Sequence, residues 1–229
     1  QARFQGKLGS MLKAGGNKLA AAIAEYEQLE DRLGRLISYA GLIYASDSSD
    51  PVRAKFYGDV QEQITSASRH LLFFTLEMNR LDDGLVSAGM ESSELLLHYR
   101  PWIEDLRLDK PYQLDDTVEQ LFLEKSATGH QAFNRLFDET LSSLRFEVDG
   151  KSLAIEPTLN LLQDTDRGLR KGASDALTRT FGENLRLFTL ITNTLAKDKR
   201  ISDEWRGFED VADARHLANR VEKPVVDAL

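Results

Sequence analysis

The groups that could do chemistry in this chain are few and scattered. Its four histidines are His70, His98, His130 and His216. No two stand at i and i+4, and no His-Glu-x-x-His motif occurs, so no helix offers two imidazoles to a zinc ion from one face. Dinuclear carboxylate bundles need a Glu-x-x-His on each of two helices. The nearest approach is a single Asp213-x-x-His216. The histidines therefore read as surface groups or hydrogen-bonded core groups. The chain has no cysteine, which removes thiol catalysis, disulfides, Cys-ligated iron–sulfur clusters and zinc ribbons. No Gly-x-Ser-x-Gly elbow marks a nucleophilic serine. Gly15-Gly16-Asn17-Lys18 lacks the spacing of a phosphate loop, and Asn17 is expected to cap a helix.

The remaining polar clusters have local explanations. Asp82/Asp83, Asp115/Asp116 and Glu91/Glu94 fall at turns or helix starts, where carboxylates satisfy free amides and face the positive end of the helix dipole. Arg167, Arg170 and Lys171 lie close to Asp164 and Asp166, and local ion pairing accounts for them better than an anion site does. Trp205 and Phe208 flank Arg206 in an expected loop, where they could face a cleft or a neighbouring domain. No residue is assigned a catalytic, cofactor-binding or metal-ligating role.

These groups must be carried by helices. From Leu29 the apolar positions Leu33, Leu36, Ile37, Ala40, Ile43 and Tyr44 recur in steps of three and four. That spacing puts one face on a core and the other in water. The helix is expected from about Asn17 to Ser46. Asp50-Pro51 then opens a second, to about Leu81, folding back as an antiparallel hairpin. Shorter helices follow: one between Glu91 and Leu106 interrupted by Pro101, one opened by Asp115-Asp116, and one carrying Phe133 to Leu144. Phe146 and Val148 then alternate with charged neighbours before Asp149-Gly150. Asp-Gly between alternating stretches signals a two-residue hairpin turn, because both its central residues need positive φ. Asp164-Thr165-Asp166 is expected to cap the longest helix, whose apolar stripe runs from Leu169 to Leu195. Lys197, Lys199 and Arg200 would close it, leaving Ile201–Phe208 as a loop. The fold class is mainly α, with long antiparallel helices, shorter helices and one small β-hairpin near 145–156.

Composition sets the outer bounds. The chain has 229 residues, 41% hydrophobic and 29% charged, which suffices for a core and a solvated exterior. Thirty-seven acids against 29 bases give a formal charge of −8. That argues against a nucleic-acid partner, which needs clustered Lys and Arg. The apolar run Leu19–Ala24 falls far short of the roughly 20 residues that span a bilayer, so no membrane partner is expected. No basic segment followed by an apolar one marks a signal peptide. Gln1 in place of Met, and Leu229 within a helical pattern, predict a piece of a longer protein.

From about Glu91 onward a set of short stretches occurs in order. They are Glu94-Leu-Leu-Leu-His-Tyr-Arg-Pro-Trp102-Ile, Lys110-Pro-Tyr-Gln-Leu114, Val118-Glu-Gln-Leu and Glu124-Lys125-Ser126. Arg135-Leu-Phe-Asp-Glu139-Thr-Leu, Asp166-Arg167-Gly-Leu-Arg170-Lys-Gly-Ala173, Asn193-Thr-Leu-Ala-Lys197-Asp198-Lys199 and Arg206-Gly207-Phe208 follow. This set resembles the oligoendopeptidase F branch of the thimet-type zinc oligopeptidases, in its N-terminal portion.

The resemblance implies an intracellular, cytoplasmic zinc metalloendopeptidase that hydrolyses short peptides in a channel between two mainly helical lobes. In that family zinc sits on a His-Glu-x-x-His helix with a downstream glutamate. This sequence lacks that helix, so no catalytic, metal or cofactor role is carried onto any residue here. Zinc is expected in the full-length enzyme and not in this portion, which would form a wall and lid of the channel and be inactive alone. Its partners would be the oligopeptide substrate and the missing C-terminal catalytic lobe. Three parts are expected: a long helical hairpin over 1–90, a family-type helical module with the β-hairpin over 91–163, and over 164–229 a long helix with the start of the catalytic region. A non-enzymatic helical interaction module is the alternative, since long amphipathic faces and negative charge would serve it as well.

Overall fold

The computed structural model describes residues 2–228. A short helix, α1 (Leu8–Lys13), precedes the 31-residue α2 (Gly16–Ser46). Asp50 then accepts the Val52 amide at 2.8 Å, and Pro51 takes the first position of α3 (Pro51–Arg69), where its missing N–H costs nothing. Next come α4 (Leu72–Arg80), α5 (Asp83–Glu91), α6 (Glu94–His98) and α7 (Arg100–Arg107). A 3-10 turn (Lys110–Tyr112) leads to α8 (Asp116–Ser126) and α9 (His130–Ser143). The β-hairpin of β1 (Phe146–Val148) and β2 (Lys151–Leu153) follows, then α10 (Ile155–Leu161), α11 (Arg167–Glu183), α12 (Leu185–Arg206), α13 (Asp213–Ala218) and α14 (Lys223–Asp227). Among the described residues no helix is long and apolar enough to cross a membrane.

The chain divides into two units. The first comprises the residues up to Tyr39, Asp59–Lys125 and the residues from Arg200. Its core gathers Leu8, Leu12, Leu19, Ile23, Phe74, Met78, Leu96 and Ile103. Close approach at the start of α2 depends on small residues. A Cβ on Gly16 would lie 2.6 Å from the Gly89 carbonyl and 2.6 Å from Ser93 Cβ, and one on Gly89 would lie 2.6 Å from Leu12 Cδ1. The Glu77 carboxylate of α4 accepts the Gly6 and Leu8 amides at 2.7 Å each, which satisfies donors at the beginning of α1. Asn17 does not cap α2, which already begins at Gly16. Instead its Oδ1 accepts from Ser93 Oγ at 2.5 Å, while Ser93 caps α6 by accepting the Leu96 amide at 3.1 Å.

The second unit comprises Ala40–Gly58 and Ser126–Lys199. Tyr44 and Tyr57 stack at 5.0 Å and 7°, so α3 turns back on α2 at this tip, as an antiparallel hairpin requires. β1 and β2 pair antiparallel through Phe146↔Leu153 and Val148↔Lys151. Asp149 and Gly150, with φ of 49° and 73°, make the turn the Asp-Gly pair predicts. Phe146 and Val148 point inward onto Ala173 and Ala176 of α11, and Glu147 points to water. An edge-to-face series then links Phe146 to Phe181 at 5.6 Å and Phe181 to Phe188 at 5.8 Å.

Several boundaries differ from the sequence reading. The helix expected from Pro51 to Leu81 breaks at His70 and Leu71, whose amides bond three residues back to Ala67 and Ser68. The stretch between Glu91 and Leu106 is interrupted as expected, but the break falls at Tyr99, and Pro101 sits within the first turn of α7. The stripe from Leu169 to Leu195 belongs to two helices, neither as long as α2. They meet at Asn184 (φ −103°, ψ 7°), which donates its side-chain amide to the Thr180 carbonyl at 2.9 Å. The loop expected at Ile201–Phe208 is helical through Arg206 and stops at Gly207, whose φ is 77°.

Candidate functional site

A part-buried polar cluster in the first unit joins α8 to the end of α12. Asp115 and Asp116 open α8, and one turn later Glu119 points inward and is buried. Arg206, at the end of α12, reaches it with two prongs: Nη1 to Oε1 at 2.8 Å and Nη2 to Oε2 at 2.9 Å. Arg206 also donates to the Tyr112 carbonyl at 3.1 Å, and the Leu114 amide donates to Glu119 at 2.9 Å. Beside them Phe208 stacks on Tyr112 at 4.1 Å. Burial works against ionising Glu119, but the Arg206 and Leu114 bonds outweigh it and hold its carboxyl below the usual range. The Glu119 bonds push the Arg206 guanidinium up, against its own desolvation. Both charges are thus fixed, and the pair works as a latch and not as an acid or a base.

An open cleft of about 660 Å³ lies next to this latch, lined by Asn79, Arg80, Lys110, Gln113, Asp115 and Asp116. Three of its charged side chains are paired. Arg80 pairs with Asp116, Nη1 to Oδ2 at 3.1 Å, and Lys110 pairs with Asp83 at 3.2 Å. The cleft's polar lining can hold solvent or an extended polar chain, but among the described residues it presents no imidazole, thiol or hydroxyl.

The sequence clusters fall as follows. Asp82 caps α5, accepting the Leu85 amide at 2.9 Å. Arg170 bonds the Asp164 and Thr165 carbonyls at 2.7 and 2.9 Å, and Lys171 pairs with Asp175 at 2.5 Å. Asp166 caps α11 through the Gly168 amide at 2.6 Å, and Ala173 is fully buried under β1. The stretch from Asp166 to Ala173 is therefore a cap, a loop tether and a packing surface. His70, His98 and His130 are exposed and His216 half-buried, with His130 Nδ1 3.8 Å from Asp198. Among the described residues no three His, Asp or Glu side chains converge, so these residues do not fit a zinc site. Trp205 is exposed, edge-on to Phe122 at 6.3 Å, while Phe208 is spent on Tyr112. Sequence reasoning missed the Glu119–Arg206 latch. The available signal was a glutamate directly after an apolar residue in Val118-Glu-Gln-Leu, ahead of an arginine before a glycine.

Against known proteins, the sequence model of the family described as Oligopeptidase F matches residues 77–146. This segment contains α5 to α9 and Glu119. Oligopeptidase PepF of Bacillus subtilis is 28% identical over 211 residues, covering 86% of this chain and 30% of that protein. The crystal structure of oligoendopeptidase-F from Enterococcus faecium superposes with a TM-score of 0.86 at 19% identity, covering 98% of this chain and 46% of that one. A second solved structure, from Chlamydophila abortus, gives 0.63 at 16% identity. The chain thus spans less than half the length of each of the first two. Over residues 77–146 in sequence, and over nearly its whole length in fold, the chain is similar to the N-terminal portion of oligopeptidase F proteins.

Proposed function

We propose that this chain is the N-terminal portion of a cytoplasmic zinc metalloendopeptidase that hydrolyses short peptides. The portion forms a wall and lid of the substrate channel and is inactive by itself. The observation that carries this reading is the family match at residues 77–146 within a fold that superposes over 98% of the chain yet accounts for only 46% of the Enterococcus protein. No residue here is assigned to zinc, and no step of hydrolysis is routed through this chain. Its part is to enclose the substrate, since a narrow channel admits an oligopeptide and excludes a folded domain.

The middle of α2 supports the same reading. Its stripe buries Ala40 and Tyr44 and half-buries Leu33, Ile37 and Ile43, but Leu29 and Leu36 stand in water. An amphipathic face left partly bare is a face made for further protein. The test is to incubate the purified chain with zinc and a quenched fluorescent peptide short enough to enter a narrow channel. The expected result is no hydrolysis above the protein-free rate. Turnover abolished by a chelator would overturn the claim that this portion is inactive.

A further inference from the structure

The first unit holds a second cavity, of about 430 Å³, between α2 and the α6–α7 segment. Its apolar wall is aromatic. Tyr26 stacks on the buried Phe74 at 4.4 Å and 6°, which fixes the plane of its ring. Trp102 stands 6.1 Å from Tyr26 at 43°, and Tyr99 completes the wall, donating its hydroxyl to Glu27 at 2.9 Å. Glu27, Glu30 and Asp31 form the rim, and among the described residues no lysine or arginine lines the cavity. Tyr26 and Glu30 are one helical turn apart, so ring and carboxylate share a face of α2.

The rim charges are unequally satisfied. Asp31 pairs with Arg35 at 2.9 Å, and Glu27 accepts from Tyr99. Among the described residues Glu30 makes neither a hydrogen bond nor an ion pair. Partial desolvation raises its pKa, the mark of a charge that has lost some water and gained no partner.

We propose that this cavity is a binding site for an organic ammonium ion carrying an apolar stem. Aromatic faces present negative potential to a cation, and they accept the stem by contact. Glu30 supplies the counter-charge. An anion would meet three carboxylates, and a neutral apolar ligand would desolvate Glu30 further without compensating it. The site goes beyond the peptidase reading and stands or falls independently of it.

Trp205→Phe leaves Trp102 as the only tryptophan and hence as the reporter. This variant of the full chain is titrated at physiological salt with 2-phenylethylammonium. The expected result is a saturable change in emission, with binding at least about tenfold tighter than that of neutral 2-phenylethanol. Glu30→Gln, whose side chain is exposed and whose fold is checked by circular dichroism, is expected to weaken the ammonium roughly fivefold. Trp102→Leu, read by calorimetry, should weaken it at least about threefold through the lost ring face. Equal affinity for the charged and neutral probes, unchanged affinity in Glu30→Gln, or the absence of saturable binding would overturn the proposal. Phenylalanyl-alanine amide separates the two sources of this chemistry. Affinity equal to that of the free amine supports a peptide amino terminus as the ligand, and discrimination against the amide supports a free amine.

Discussion

Glu119 and Arg206 are 87 positions apart in sequence and meet in a two-pronged pair that neither α8 nor α12 could form alone. Removing one partner leaves the other charged, half-buried and unpaired, which costs more than the pair itself contributes. Glu119→Gln should therefore lower stability by about 2 kcal/mol, read as a shift in urea midpoint with little change in slope. The pair also sets a pH dependence. The carboxyl is held below its ordinary value in the folded chain, so its contribution is complete above the usual carboxylate range. It drains as pH falls through the lowered folded value. The acid limb of a stability–pH curve should be shallower in Glu119→Gln than in the parent. Gly16 makes a steric prediction of the same kind. An added methyl would meet the Gly89 carbonyl at 2.6 Å, and backbone there cannot swing aside as a flexible side chain would. Gly16→Ala is expected to cost about 1–3 kcal/mol, the usual penalty of overpacking, in the same unfolding measurement.

The elements follow the same logic at longer range. Phe146 and Val148 tie the hairpin to α11 over Ala173 and Ala176. Phe146→Ala should cost about 3–5 kcal/mol and loosen hydrogen exchange in α11 together with the hairpin. This hairpin was legible in the sequence because Asp-Gly has few other uses between alternating residues. The restart at Pro51 was legible because a capping aspartate and a proline act within one turn. The break at Asn184 was not, since the apolar period stays in phase across a single non-helical residue. The extension of α12 to Arg206 was hidden by its charge. Lys197, Lys199 and Arg200 resemble a helix end, yet Arg200 pairs with Glu204 at 3.4 Å and carries the helix on. Gly207 was the better stop signal. α1 could not be read at all, because what satisfies its first amides is Glu77, 69 residues from Leu8. For the candidate site, residue type was readable and partnership was not. Tyr26, Tyr99 and Trp102 drew no role from the sequence, because nothing in their spacing announces a cavity.

For the whole molecule, the unusual feature is how much apolar surface remains uncovered. Val52, Leu42 and Leu185 keep 75%, 73% and 63% of their surface in contact with water, and Leu29 and Leu36 stand exposed in a stripe that is otherwise buried or half-buried. Isolated exposed leucines are ordinary, but a bare segment within an amphipathic face is not. The chain alone is expected to bind the dye ANS and to self-associate with rising concentration, as followed by light scattering. A monodisperse chain that leaves the dye dark would favour a self-sufficient helical module. The most direct measurement is the peptidase activity of the product of the whole reading frame that contains this chain. It is assayed on the same quenched peptide with and without a chelator. Hydrolysis that the chelator abolishes, absent from the 229-residue chain under identical conditions, is the predicted result. A full-length product that leaves the peptide intact in the presence of zinc would contradict the account.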